Sequence, residues 1–460
     1  MSSTILQVKP EHVDTPERRS LYTVAIVGCG SNGILHADIF ATSGFKVICA
    51  DTDQSIVSLL ARAKTPPIPR WMEPEWRRHL RTGHLNCTSD IKSAVTQADI
   101  ILITIHAKID HRKNTDHSDL DNAAKQVGPN LRKGSLVLAT GVSGIGIAED
   151  VLKGALQDGS GFKAGLDFGF AYGPFMASID KQPECGTKQR RIVAARDKTS
   201  LNAASTLLQT VMPEAQILKT ENIKLAEASA IFESVWKNVG TGLSNEFSSL
   251  CEKIGIDYLE ALELMNGTRS TDLPFPMVLD DKVRDKSYLL LDVAENSGVR
   301  LKLPVTALET ERDLMKHVVN LSQGALRSCG KTIRRAKVSL LGLSRTPEAK
   351  GETGETIKKL VKMFETRGAK IRLYDPYFNN DQTVDTQPNL KNSLNEAVEG
   401  VDAIVVLTRH DQFKSMNLQK VRLIVKMPIA VIDVAGVLEP SKVEKEGMVY
   451  RGLGRGSWTK

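Results

Sequence analysis

The run Gly28-Cys29-Gly30-Ser31-Asn32-Gly33 constrains this chain more than any other feature. It closes the β-branched apolar stretch YTVAIV and opens a helical stretch, NGILHADIFATSG, which leads into a second apolar strand, KVICAD. Glycines at this spacing meet three steric needs: a tight turn, close approach of a pyrophosphate to the backbone, and close packing of helix on strand. A phosphate placed there faces the positive end of the helix and its unsatisfied N–H groups. Asp51 follows Gly33 by eighteen residues, at the end of the second strand. Its carboxylate can accept both ribose hydroxyls and would repel a 2′-phosphate. The cofactor expected is therefore NAD rather than NADP, held by Gly28, Gly30, Ser31, Asn32, Gly33 and Asp51. Asp53 is better suited to capping the next helix. A glycine turn in a nucleotide-free α/β domain is the alternative.

Further strands are expected at Asp99–Ile105, Ser135–Thr140, Lys163–Phe170 and Arg191–Ala195, with helical patterns between them. Apolar strands alternating with helices imply a doubly wound parallel sheet. Residues 223–268 and 286–331 have helical periodicity instead, interrupted at Pro274 and Pro276, where a continuous helix is excluded. A long helix is expected from Pro304 to about Ser328, because proline suits a helix start. At Lys337 the α/β rhythm resumes through KVSLLGLS, KIRLYDPY, AIVVLTRH and IAVIDVAGVL. The expected fold is α/β, with two Rossmann-like doubly wound parallel-sheet domains joined by a helical middle domain. The boundaries expected are a polar leader over 1–20, a cofactor domain over 21–215, a helical domain over 216–332 and a second α/β domain over 333–460.

Composition narrows the function classes. The 460 residues are 41% apolar and 25% charged, ordinary globular usage. No apolar run reaches the roughly 18 residues a membrane span needs, and the leader lacks the apolar core of a signal peptide. A cytoplasmic protein without a membrane partner is expected. The net charge of +7 favours small anionic ligands but is not gathered into the stripe that nucleic-acid binding requires. Cys29, Cys49, Cys87, Cys185, Cys251 and Cys329 form no CxxC pair, so neither a zinc site nor a disulfide framework is indicated. His106, His111 and His117, with Asp110, Asp116 and Asp119, are irregularly spaced after the DIILITI strand. They read as a solvated lid rather than a metal site, and no metal is expected.

Local motifs then carry a resemblance. ATGVSG, with Thr140 and Gly144, follows a strand. One helix presents Ala226-Glu227, Asn245-Glu246 and Gly255-Ile256-Asp257. KIRLYDPY surrounds Asp375, and Asp433 and Tyr450 stand in the closing strands. On these residues the chain resembles the UDP-glucose/GDP-mannose dehydrogenase family over residues 20–456, and within it the branch that oxidises UDP-N-acetylmannosamine and related acetamido sugars. The resemblance implies a Rossmann NAD domain, a helical dimerisation domain, a C-terminal domain for the nucleotide of the sugar, and Thr140 beside the nicotinamide. It also implies a homodimer and a nucleotide-sugar substrate. The physical case for the dimer is that helices 223–268 and 304–328 carry more apolar surface than two small α/β domains readily cover.

The catalytic positions depart from the family pattern. Family members carry out two successive oxidations, the second through an adduct on a cysteine, because hydride can leave only from a tetrahedral carbon. Where the family's G-G-x-C loop is due, this chain has Leu279, Asp280, Asp281 and Lys282, flanked by Pro274, Pro276 and Tyr288-Leu289-Leu290. Cys251 and Cys329 cannot reach that place by a register shift. The family's Y-x-P-E reads Tyr172-Gly173-Pro174-Phe175, a phenyl ring in place of a carboxylate. Trp236-Lys237-Asn238-Val239-Gly240 stands for Y-R-D-V-N, so Lys237 keeps a positive charge. In the C-terminal domain Arg345 keeps a cation, while Glu352 replaces an arginine and repels a diphosphate.

The resulting expectation is an NAD-dependent oxidoreductase on the CH–OH group of a UDP-(acetamido)sugar-like substrate, carrying out at most one two-electron step. Lys237 would stabilise an alkoxide and Asp280, Asp281 or a bound water would act as base, with Asn238 and Lys282 beside them and Arg345 and Tyr172 on the substrate. An exposed helix residue for Lys237, and a solvated loop for Asp280–Lys282, are the plainer alternatives. The other whole-chain alternatives are a non-catalytic NAD-binding scaffold and a substrate that is not a nucleotide.

Overall fold

The computed structural model describes residues 4–64, 68, 71–110, 112–175, 190–268, 273–277, 281–343, 355–378 and 389–456, without the side chains of 281–283 and 355. The chain divides into two compact units: Met1–Ser234 with Asp285–Arg300, and Val235–Arg284 with Leu301–Lys460. No helix among the described residues is long and apolar enough to cross a membrane.

The first unit is built on β1 (Thr23–Val27), β2 (Lys46–Ala50), β3 (Leu85–Thr88), β4 (Ile100–Ile103), a small hairpin of β5 (Lys108–Ile109) and β6 (Thr115–Asp116), β7 (Leu136–Ala139), β8 (Gly169–Tyr172), β9 (Arg190–Ala194) and β10 (Gln216–Thr220). Eight of these form one sheet in the order β10-β9-β8-β7-β4-β1-β2-β3, parallel except where β8 meets β9. Alternation along each strand sends Val24, Ile26, Ile100 and Leu102 into one apolar layer, and Ala25, Val27, Ile101 and Ile103 into the other. Both faces are thus covered, which is why the strands read as continuous apolar runs. Chain reversals bring the C-terminal ends of β1, β4 and β7 together, the place where an open α/β sheet holds a ligand.

The second unit repeats the plan with β11 (Lys337–Leu341), β12 (Lys370–Tyr374), β13 (Ala403–Val406), β14 (Ala430–Asp433) and β15 (Val449–Gly452), all parallel in the order β12-β11-β13-β14-β15. Again the strands split their side chains: Val338, Leu340 and Val405 face one layer, Leu341, Ile404 and Val406 the other.

Several elements differ from expectation. The strand expected at Lys163–Phe170 begins only at Gly169, because Gly165 turns the chain at φ +83° and Asp167 closes a turn onto the Lys163 N–H. The 223–268 helix is two helices, Ile223–Ile254 and Tyr258–Gly267. Gly255 (φ +78°) ends the first, and the Asp257 carboxylate caps the second by accepting the Leu259 N–H at 2.9 Å. The long helix after Pro304 runs Leu303–Ser328. The segment after β4 expected to be a lid is the β5–β6 hairpin followed by the helix Ser118–Val127.

Candidate functional site

The glycine turn shows in its geometry why each glycine is there. Gly28 sits at φ +96°, and a Cβ on it would meet the Ile105 side chain at 2.9 Å. A Cβ on Gly33 would lie 2.0 Å from the Gly28 carbonyl oxygen, so the helix packs on the strand only without one. A Cβ on Gly30 would meet nothing within 4 Å, so open space lies on that side, where a phosphate can approach. The helix Ser31–Thr42 has no side-chain cap, and the positive end of its dipole faces the glycine turn, where it favours an anion.

Asp51 is fastened into this turn. Its Oδ2 accepts the Cys29 N–H at 2.6 Å and its Oδ1 accepts the Asp53 N–H at 2.9 Å. Asp53 caps the next helix through the Ser55 N–H at 2.8 Å, as its position implies, and the Ser55 hydroxyl and N–H hold its carboxyl below the usual range. Thr140 is buried at the end of β7, where its N–H donates to the Ile103 carbonyl at 2.9 Å. Its hydroxyl has no hydrogen-bond partner among the described residues. An orphaned buried hydroxyl, an open glycine and an anchored acid along the ends of β1, β2 and β7 fit a dinucleotide.

Asn32 and His106 are tied together: the Asn32 amide lies 3.1 Å from His106 Nε2 and 3.3 Å from the Phe175 carbonyl oxygen. The Val142 N–H donates to His106 Nδ1 at 3.0 Å. His106 therefore joins the glycine turn to the turn after β7. Nothing in its spacing reveals this, since both partners are remote in the chain.

Phe175, where the resemblance places a carboxylate, is buried. Its ring lies 4.3 Å from that of His36 and 4.4 Å beneath the Arg191 guanidinium. Burial pushes His36 down to about 4, so the ring is neutral and its Nδ1–H donates to the Asn32 carbonyl at 2.8 Å. Tyr172 is buried at the end of β8 with its hydroxyl unpartnered among the described residues, and burial followed by the Glu227 charge raises the phenol.

In the second unit, Lys237 is exposed on the helix Ile223–Ile254 while Asn238 beside it is fully buried. Asp281 and Lys282 begin the helix Asp281–Asn296, their side chains lying outside the described residues, as do Asp280, Arg345 and Glu352 altogether. At the C-terminal ends of the second sheet, Asp375 accepts the Leu343 and Tyr377 N–H groups at 2.7 and 2.9 Å and lies 3.3 Å from His410 Nε2. Arg409 stacks on Phe275 at 3.5 Å and donates to the Ala435 carbonyl at 2.7 Å.

Three of the described thiols are raised. Burial, ahead of the Asp257 and Glu252 charges, pushes Cys251 up. Burial does the same to Cys329, and hydrogen bonding to Cys29 and Cys87 raises Cys49. A raised thiol is a poor nucleophile at neutral pH. Cys185 and His111 lie outside the described residues, among which no three or more His, Cys, Asp or Glu side chains gather as a metal site.

Comparison with known proteins agrees with this geometry. The NAD binding domain of the UDP-glucose/GDP-mannose dehydrogenase family matches residues 22–212, and the UDP binding domain of the same family matches residues 356–440. The UDP-N-acetyl-D-mannosamine dehydrogenase of Pyrococcus horikoshii is 25% identical over 443 residues, covering 94% of this chain and 99% of that protein. The UDP-glucose 6-dehydrogenase TuaD of Bacillus subtilis is 23% identical over 452 residues, covering 94% and 93%. Among solved structures, the UDP-D-ManNAc dehydrogenase from Pyrococcus horikoshii shares the fold with a TM-score of 0.82 at 23% identity, covering 95% of this chain and 100% of that one. The NDP-N-acetyl-D-galactosaminuronic acid dehydrogenase from Methanosarcina mazei does so with a TM-score of 0.75 at 23% identity, covering 99% of each. The two domain matches together span more than half of the sequence, and the chain belongs to the UDP-glucose/GDP-mannose dehydrogenase family, with NAD as its cofactor.

Proposed function

We propose that this protein oxidises the CH–OH group of a UDP-acetamido sugar or a close analogue with NAD, and that it stops after one two-electron step. The single observation that carries the limit is that no cysteine occupies residues 268–290, where the family resemblance places its thiol. Without a thiolate to add to the aldehyde, no tetrahedral carbon forms for a second hydride to leave. The buried Phe175 ring adds to this, since it offers no carboxylate for hydrolysing an ester.

NAD, when bound, accepts the hydride. The chain's own groups do the rest in this reading. Asp281, or a water it holds, takes the hydroxyl proton. Lys237, exposed on its helix, stabilises the developing alkoxide with Lys282 adding positive charge. Arg345 binds the diphosphate, and the buried Asn238 braces the helix behind Lys237. The proposed working form is a cytoplasmic homodimer that supplies precursors for polysaccharide, joined through its helical middle region. Trp236, Leu250 and Ile254 support that pairing, being 67%, 55% and 57% exposed at helical spacing on one helix.

The test is turnover on a panel of UDP-acetamido sugars with NAD, read as NADH formation. NADH with at least one of them supports the reading. NAD binding with no turnover on any substrate favours a cofactor-binding scaffold.

A further inference from the structure

The turn that follows β7 is fastened at both ends by side chains that ionise. At its start, the Val142 N–H donates to His106 Nδ1 at 3.0 Å. At its end, both oxygens of Glu227 are used: Oε2 accepts the Gly146 N–H at 2.7 Å and Oε1 accepts the Ala148 N–H at 2.6 Å. Between these anchors the backbone needs Gly144 at φ +137° and Gly146 at φ +91°, so the segment has little structure of its own to hold it. A Cβ on Gly141 would lie 1.7 Å from the Ile105 carbonyl oxygen, so this turn presses on the end of β4, which in turn abuts Gly28. Glu227 is 1% exposed and shares a small cavity with Gly141, Ser143 and Ile105.

We propose that Glu227 is a positioning residue for the bound cofactor. By taking the Gly146 and Ala148 N–H groups it holds the 141–148 turn against the phosphate-binding turn, and it loosens that hold on taking a proton. This inference rests on the NAD reading of the site.

The chemistry of the anchor explains the switch. A carboxylate accepts through both oxygens, whereas a carboxyl group keeps one good acceptor and gains a donor with no place among two N–H groups. Burial pushes Glu227 up to about 7, against the downward pull of its two backbone bonds, with Glu149 and Asp150 adding to the rise. Acidification thus relieves a buried charge while surrendering one of two charge-assisted bonds, so the local turn loosens without the fold being lost. The other ionisable groups around this site are few. Lys224 on the same helix pairs with Asp150 at 2.8 Å, and Glu149 pairs with Arg196 and with Lys153. Tyr172 faces the site from β8, and His117 lies 3.9 Å from the Cβ position of Gly144.

The experiment measures NAD affinity of the purified full chain by calorimetry at about pH 6 and about pH 8.5, alongside Glu227→Gln. The unaltered chain should bind about tenfold more weakly at the lower pH. Glu227→Gln should bind weakly at both values, with the difference between them reduced. Hydrogen exchange at the Gly146 and Ala148 amides of the unaltered chain gives a reading that needs no variant: protection, corrected for intrinsic rates, should drop on acidification and return with NAD. Affinity and pH slope in Glu227→Gln equal to those of the unaltered chain would overturn the proposal, as would amide protection that does not change with pH. Failure of the unaltered chain to bind NAD at either pH would overturn the cofactor reading and the proposal with it.

Discussion

The Asp51 carboxylate accepts the Cys29 backbone N–H at 2.6 Å, so the acid proposed to select the cofactor also ties the glycine turn to the second strand. Asp51→Ala removes both roles. A hydrogen bond to a charged group is worth about 1.5–3 kcal/mol, so NAD affinity should fall by about 10- to 100-fold. Asp51→Asn keeps an acceptor but removes the charge that repels a 2′-phosphate, and should narrow the preference for NAD over NADP. Both effects are read by titrating each nucleotide; an Asp51→Ala chain that binds NAD unchanged would show that Asp51 is not the ribose partner.

His36 makes stability depend on pH. Its ring is buried and neutral, held down to about 4 from the ordinary 6.5. The unfolded chain takes a proton at His36 as pH falls below about 6.5, while the folded chain refuses it until about 4. Stability from this residue is therefore full above about 6.5 and lost progressively toward 4, by about 3 kcal/mol at about 1.4 kcal/mol per pH unit. Denaturant melts across that window should show the loss, and His36→Gln should flatten it. An unchanged slope in the variant would assign the acid sensitivity to other groups.

Phe175 fills the gap between His36 and Arg191. Phe175→Ala should cost about 3–5 kcal/mol, since the cavity opens under a guanidinium that loses its ring. Thermal unfolding measures this, and a shift within error would mean that the site collapses around the smaller side chain.

Cys251 and Cys329 are raised thiols. Cys251→Ser and Cys329→Ser should each leave NADH formation within about twofold of the unaltered chain, because neither supplies a nucleophile. A large loss of turnover in a folded Cys251→Ser chain would point to a thiol step.

What could be read from the sequence was mostly what is local. The glycine turn and Asp51 stand where their spacing places them, because sterics within one strand–turn–helix unit fix them. The apolar strands β1, β4, β7, β11, β13 and β14 are legible because both their faces are buried. By contrast β3 and β10 escape notice: Leu85–Thr88 and Gln216–Thr220 are edge strands with polar residues among their apolar ones. The anchors of the turn after β7 were not legible either. Glu227 lies 81 residues from Gly146 and His106 lies 36 from Val142, and only the folded sheet brings them together. His106, expected on a solvated lid, instead bridges two turns of the site.

The central claim is a single oxidation, and the ratio of NADH formed to sugar consumed tests it most directly. With a UDP-acetamido sugar that turns over, one NADH per sugar and a product trapped at the aldehyde level is the result expected. Two NADH per sugar with a uronic acid product would contradict it, and would show that this fold completes the second oxidation without the family's cysteine.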